Sequence, residues 1–271
     1  MNLHYVRRMM SSKHRFIFTV AVLEIIFLLL PTVIILVTSF GSSSIITFPP
    51  EEFSLKWYQA LLDSDNYLSA FTRSLFVATF STAVSIPVGV MAAIGLHRYD
   101  LPFKNVLQLY LLIPFMIPLV VSGVILLIIF GQLGWLDHLW SVGLALAIVN
   151  IPFMIWSVSS SVNALDNRLE DAAKSLGAEE LQTFIYVTIP ALMPGIIMGS
   201  LLTFMLGLNE FIVSLIITST GTITLPVEIY TSIRGSISPV ISAISSVYIF
   251  IAILAMVVTD KLVGLEQFLR S

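Results

Sequence analysis

Of the 271 residues, 57% are hydrophobic and only 11% are charged, and the mean hydropathy is +0.98, whereas an ordinary soluble domain carries about 25% charge. That balance excludes a water-soluble enzyme, and a net charge of −3 scattered along the chain offers no basic surface for nucleic acid. With no cysteine, a disulfide scaffold, a Cys-based metal site and thiol chemistry are excluded as well.

Hydrocarbon has no water to satisfy backbone N–H and C=O groups, so an apolar run of about 20 residues is read as a membrane-crossing helix. The first such run, 16–40, follows a tail over 1–15 that carries Arg7, Arg8, Lys13 and Arg15. It is too long for a cleavable leader and ends in Thr38-Ser39-Phe40 without a small-residue cleavage site, so it is expected to stay as a permanent span. An outer segment over 41–73 comes next, in which Ser54 is placed to cap a short amphipathic helix containing Trp57 and Tyr58 at the interface. A core over 74–263 holds five further runs, 74–96, 105–130, 139–161, 191–218 and 240–258, before a tail over 264–271. The expected fold is an all-α integral membrane protein of six transmembrane helices. Only Glu24 and Glu210 are charged inside the runs.

If the N-terminus is cytoplasmic, ten Lys and Arg fall in inside segments, and three (Lys56, Arg73 and Arg234) fall outside. The positive-inside rule then puts both termini, the loop 97–104 and the segment 162–190 in the cytoplasm. Prolines recur within the runs, at Pro31, Pro87, Pro114, Pro118, Pro152 and Pro194. Two readings stay open: membrane helices carry extra proline in any case, or the kinked helices line a substrate path. Gly195-Ile196-Ile197-Met198-Gly199 fits the small-xxx-small pattern of close helix contact. Asn150, next to Pro152, is expected to satisfy the kinked backbone.

The segment 162–190 does not read as a loop. Leu165, Leu169, Ala172 or Ala173, and Leu176 recur at helical spacing, Gly177 is a natural stop, and Glu179-Glu180 can open a second short helix. The result is two helices outside the membrane with an apolar stripe that must be buried against this chain's own helix ends or another protein. Lipid is the poorer partner, because Asp166, Glu170, Asp171, Glu179 and Glu180 outnumber Arg168 and Lys174, and anionic headgroups repel that balance.

Asp171-Ala172-Ala173-Lys174-Ser175-Leu176-Gly177, nine residues, then Val187-Thr188-Ile189-Pro190 resembles the EAA motif (E-A-A-x3-G-x9-I-x-L-P) of ABC-importer permease subunits. Asp171 stands for the usual Glu, and Val187 and Ile189 for Ile and Leu. The resemblance runs from about Trp57 onward. It implies that Leu169, Glu170, Asp171, Ala172, Ala173, Lys174, Ser175, Leu176 and Gly177 form a cytoplasmic coupling helix between spans four and five, seated on a separate ATPase. It also implies two ATPase subunits that use ATP and Mg, a second permease that is homologous but distinct, a periplasmic solute-binding protein and a bacterial inner-membrane location. Asn209-Glu210-Phe211 and the stretch from Thr224 to Arg234 are similar to the second permease of spermidine/putrescine-type importers, a group that also handles opines and related amino-acid derivatives. Polyamine permeases of that group commonly carry two acids where this chain has Asn209-Glu210.

A carboxylate at membrane depth is expensive and reads as functional by default. Asn209 and Glu210 are therefore candidates for lining the path of a small cargo bearing an ammonium or amide, and a structural hydrogen bond between Glu210 and a neighbouring helix or the partner permease is the alternative. His4, His14, His97 and His138 form no metal-ligand spacing, and neither a phosphate loop nor a G-x-S-x-G elbow occurs. No cofactor, metal or catalytic residue is expected in this chain. Two rival readings remain, an ion-coupled secondary transporter and a membrane channel or scaffold subunit.

Overall fold

The computed structural model describes residues 12–235 and 238–263; most of the tail 1–15 and all of 264–271 fall outside them. Among the described residues the fold is all-helical, with only an isolated antiparallel bridge between Gly41 and Phe53. In chain order the helices are α1 (Ser12–Thr38), α2 (Lys56–Leu62), α3 (Asp65–Arg98), α4 (Lys104–Met116), α5 (Leu119–Leu133), α6 (Leu139–Ala164), α7 (Asn167–Ser175), α8 (Glu180–Thr183), α9 (Ile189–Asn209), α10 (Ile212–Ile217), α11 (Leu225–Gly235) and α12 (Val240–Val263). A π-helical turn, Phe184–Thr188, joins α8 to α9.

The chain divides into two compact units. The smaller comprises Met1–Ser64 with Ser232–Phe250. Within it, the Tyr58 hydroxyl lies 2.7 Å from both Ser39 Oγ and Ser246 Oγ, while Thr38 donates to Ser242. Tyr58 thus points to neighbouring helices of its own unit, so the interfacial anchoring expected of it does not describe its hydroxyl. The short helix begins at Lys56 with Leu55 at its N-cap position and no side-chain cap, so Ser54 does not cap it as expected, although its Oγ accepts the Lys56 N–H at 3.2 Å.

The larger unit comprises Asp65–Thr231 with Ile251–Ser271. Its central helix is α6, whose most apolar window is 67% buried. Leu146, Met154 and Val158 are fully enclosed there. Two apolar clusters stack along α6, one around Val77, Leu146 and Val213 and the other around Ala93, Met154 and Leu192. The small-xxx-small pattern does place two helices in close contact. A Cβ on Gly195 would stand 2.8 Å from Ser157 O and 2.5 Å from Ser161 Oγ, and one on Gly199 would stand 2.7 Å from Met154 Sδ. The closeness lets Ser157 Oγ donate to Gly195 O at 2.9 Å.

Among the described residues, four helices, starting at Phe16, Asp65, Leu139 and Glu180, are long and apolar enough to cross a membrane, and Leu119–Leu133 and Val240–Leu254 are shorter apolar helices. Two expected runs are not single helices. The run 105–130 is interrupted between α4 and α5, where Ile117 is extended at ψ 134°. The cause is Pro118, whose ring bars the preceding residue from the helical region. The run 191–218 ends its main helix at Asn209 and restarts at Ile212, because Glu210 is extended at ψ 123°. The run 74–96 is longer than expected, since α3 already begins at Asp65.

Candidate functional site

Two places gather the residues singled out by the sequence. The first is the segment between α6 and α9. Asp166 caps α7 by accepting the Arg168 N–H at 3.0 Å. At the other end, Gly177 takes a left-handed φ of 89°. There the Ala178 N–H reaches Ala173 O and the Gly177 N–H reaches Lys174 O, at 3.1 and 3.0 Å, the paired bonds of a Schellman stop. Glu179 and Gln182 then form a reciprocal capping box that starts α8. These local signals explain why nine residues that could not hold a helix alone in water form one here.

The apolar stripe is left open. Leu169 is 54% exposed, Leu176 90% and Leu181 67%, and Asp171, Ala172, Lys174, Ser175 and Gly177 are exposed with them, while Ala173 is half-buried. Of the alternatives left by the sequence, burial within this chain reaches only Leu165 and Ala173, both half-buried, and leaves Leu169 and Leu176 open. Glu170 behaves differently from its neighbours. It is buried, forms an ion pair with Arg98 at the end of α3, and accepts a hydrogen bond from Thr188 in the π-helical turn. Sequence reasoning grouped Glu170 with the outward acids, yet its side chain ties α7 to α3 and to the start of α9. Neither Arg98 nor Thr188 is evident from the sequence as a partner of Glu170, because they lie 72 and 18 residues away along the chain. A depression of about 580 Å³ beside this pair is edged by Lys174, Glu180 and Phe184.

The second place is a cavity of about 830 Å³ among the apolar helices of the larger unit, to which both helix interruptions contribute: Ile117 and Pro118 from one, Glu210 and Phe211 from the other. Irregular backbone within a membrane is tolerated where it faces a cavity or is buried in protein. Glu210 stabilises its own interruption. Its Oε1 accepts the Val213 N–H and its Oε2 the Ser214 N–H, each at 2.9 Å, so the carboxylate replaces the carbonyls that an unbroken helix would have provided. Asn209 also lines the cavity and donates from Nδ2 to Met205 O at 2.9 Å. The hydrogen bonds that Glu210 accepts come from the start of α10, three and four residues on, rather than from a neighbouring span, and the residue also stands at the cavity wall. Asn150 on α6 is 4% exposed and lines the same cavity, but its amide nitrogen has no hydrogen-bond partner. It does not satisfy the kinked backbone at Pro152 as expected. Among the described residues, no group of three His, Asp or Glu side chains gathers as a metal site would.

A broken-helix cavity among apolar helices, with an exposed, doubly capped helix pair before the opposite end of α9, fits a membrane transport component. The chain belongs to the family of binding-protein-dependent transport system inner membrane components, whose pattern matches residues 85–265, and it is a multi-pass permease subunit of the ABC-importer type. It is 30% identical over 241 residues to the spermidine/putrescine transport system permease protein PotC of Escherichia coli (strain K12), covering 89% of this chain and 90% of that one. It is 31% identical over 227 residues to the putrescine transport system permease protein PotI of the same organism, covering 81% and 80%. In fold it is similar to a chain of a bacterial ABC transporter involved in the import of the acidic polysaccharide alginate, with a TM-score of 0.72, 20% identity, and 93% and 98% of the two chains covered.

Proposed function

We propose that this permease crosses the inner membrane six times with both termini in the cytoplasm, and that α7 and α8 are the coupling segment on which a cytoplasmic ATPase sits. The observation that carries this reading is the open stripe of Leu169, Ala172 and Leu176 on a helix whose inner face is tied down by Glu170. An apolar face so exposed and rimmed by acids marks a protein contact. The interrupted helices α4–α5 and α9–α10 each make one crossing, and α12 makes the last, with lipid covering the outer apolar faces. A second, homologous but distinct permease completes the path, two ATPase subunits hydrolyse ATP with Mg, and a periplasmic binding protein delivers the cargo. This chain contributes no catalytic group.

Closure of the ATPases pushes on α7, and the Glu170 contacts pass that displacement to Arg98 on α3 and Thr188 at the root of α9. The cavity lined by Asn209 and Glu210 is the cargo path. A carboxylate there favours a small solute bearing an ammonium or amide, in the range of polyamines, opines and related amino-acid derivatives. The names of the PotC and PotI relatives fit that range. The test is to purify the importer through its ATPase after Gly177→Leu or Leu176→Asp. Both variants should insert normally but no longer retain the permease on the ATPase, with uptake lost. Retention at the wild-type level would sink the coupling role of α7.

A further inference from the structure

The cavity at the two helix interruptions contains one polar group that its own surroundings do not use. Asn150 is 4% exposed, and its amide nitrogen lacks an acceptor. Pro152, two residues on, leaves the Ile148 carbonyl without its usual helical donor, yet the Asn150 amide does not turn to it. A buried N–H2 without an acceptor costs the desolvation of the group in full, and such a group in a binding cavity awaits a partner from outside the chain.

The acidic group on the wall is of the opposite kind. Each Glu210 oxygen already accepts one backbone N–H, but a carboxylate offers about four acceptor sites, so two remain for a donor in the cavity. Asn209 commits one of its two N–H donors to Met205 O, which leaves its second N–H and its carbonyl oxygen open. Phe153, Met205 and Ile212 make the intervening wall apolar. The wall therefore carries acceptors at Glu210 and Asn209 and, on α6, the Asn150 amide, whose nitrogen is buried and without an acceptor.

We propose that Asn150 is a cargo-contacting residue that selects for an oxygen acceptor, so that the cargo pairs an ammonium or N–H group for Glu210 with a carboxylate, carbonyl or hydroxyl oxygen for Asn150. This rests on the cavity being the cargo path and narrows that reading to amino-acid-like solutes. A fully protonated polyamine carries donors only. It would satisfy Glu210 and leave the Asn150 N–H2 buried and unpaired, the mismatch by which a polar site rejects an analogue lacking one group. The χ2 torsion of Asn is broad, so the amide turns toward a cargo oxygen without disturbing α6.

Three pairs of probes differ only by one carboxylate: ornithine and putrescine, lysine and cadaverine, arginine and agmatine. Uptake of each is measured with the complete importer in a host that has no other route for them. The wild type should carry the carboxylated member better in at least one pair. Asn150→Ala should lower that uptake about tenfold, the factor that one ordinary hydrogen bond represents, while changing the matching amine by less than about twofold. Asn150→Ser, which keeps a donor, should recover part of the preference and guards against a folding artefact. The proposal is overturned by a wild type that favours the amine in every pair, by one that carries none of the six, or by Asn150→Ala lowering both members alike. Retention on the ATPase through α7 is unaffected in all of these outcomes, so its loss would signal failure of the wider permease reading instead.

Discussion

Glu210 serves two purposes with two oxygens. As a cap it supplies acceptors to Val213 and Ser214, and each such bond matters more than in water, since an unmade backbone bond in hydrocarbon costs several kcal/mol. As a charge it is set beside the cavity. Glu210→Gln keeps one acceptor and discards the charge, and it should lower stability in detergent by about 1–2 kcal/mol, as expected for losing one hydrogen bond to a charged group. Uptake of a cationic solute should fall much further than this loss of stability explains. Unchanged uptake in a correctly assembled importer would remove the charge from the mechanism. Glu210 was legible in the sequence as the one deep acid of the later spans. Its partners were not, because three- and four-residue capping arises only where the helix stops. Asn150 was legible as a polar residue in an apolar run, but its proximity to Pro152 suggested the wrong partner. Only the packing of α6 against the interrupted helices leaves its amide nitrogen buried and unpaired beside the cavity.

At the scale of the helices, the glycines of α9 determine how near α6 can come. A Cβ at Gly195 would meet a backbone oxygen, Ser157 O, at 2.8 Å, and backbone cannot swing away as a side-chain end can. Gly195→Ala should therefore cost about 1–3 kcal/mol, as overpacking does, and break the Ser157 bond to Gly195 O. A lowered thermal midpoint of the purified permease would report it, and an unchanged one would mean that the two helices are free to separate. The same helices mark the limit of hydropathy as a guide. Apolar residues continue on both sides of Pro118 and of Glu210, so a run that measures only burial in lipid reads straight across an interruption. The rule that a residue before proline leaves the helical region was available for Ile117. For Glu210 no such local rule exists, and the break is visible only once Asn209 and Phe211 are seen to line a cavity.

Across the whole molecule, the Arg98–Glu170–Thr188 contact joins residues from three parts of the chain. Breaking it by Glu170→Gln removes the ion pair and leaves a group able to accept from Thr188. Because the Arg98 side chain is 33% exposed, the loss of stability should be about 1–2 kcal/mol, well below the cost of breaking a fully buried pair. The open stripe of α7 is untouched, so the ATPase should still co-purify while uptake per ATP hydrolysed falls. Equal coupling in wild type and variant would mean that displacement passes from α7 by another route. The amino-acid sequence by itself determined the membrane class, the family motif from Asp171 to Pro190, the two short helices within it and the deep acid, because composition, capping and glycine stops are local. The tertiary structure alone decided that Glu170 faces inward while Leu176 stays bare, that two helices are interrupted at one cavity, and that Asn150 lacks a partner. Each of these depends on which distant backbone lies within hydrogen-bond reach, a distance that no periodicity along the chain encodes.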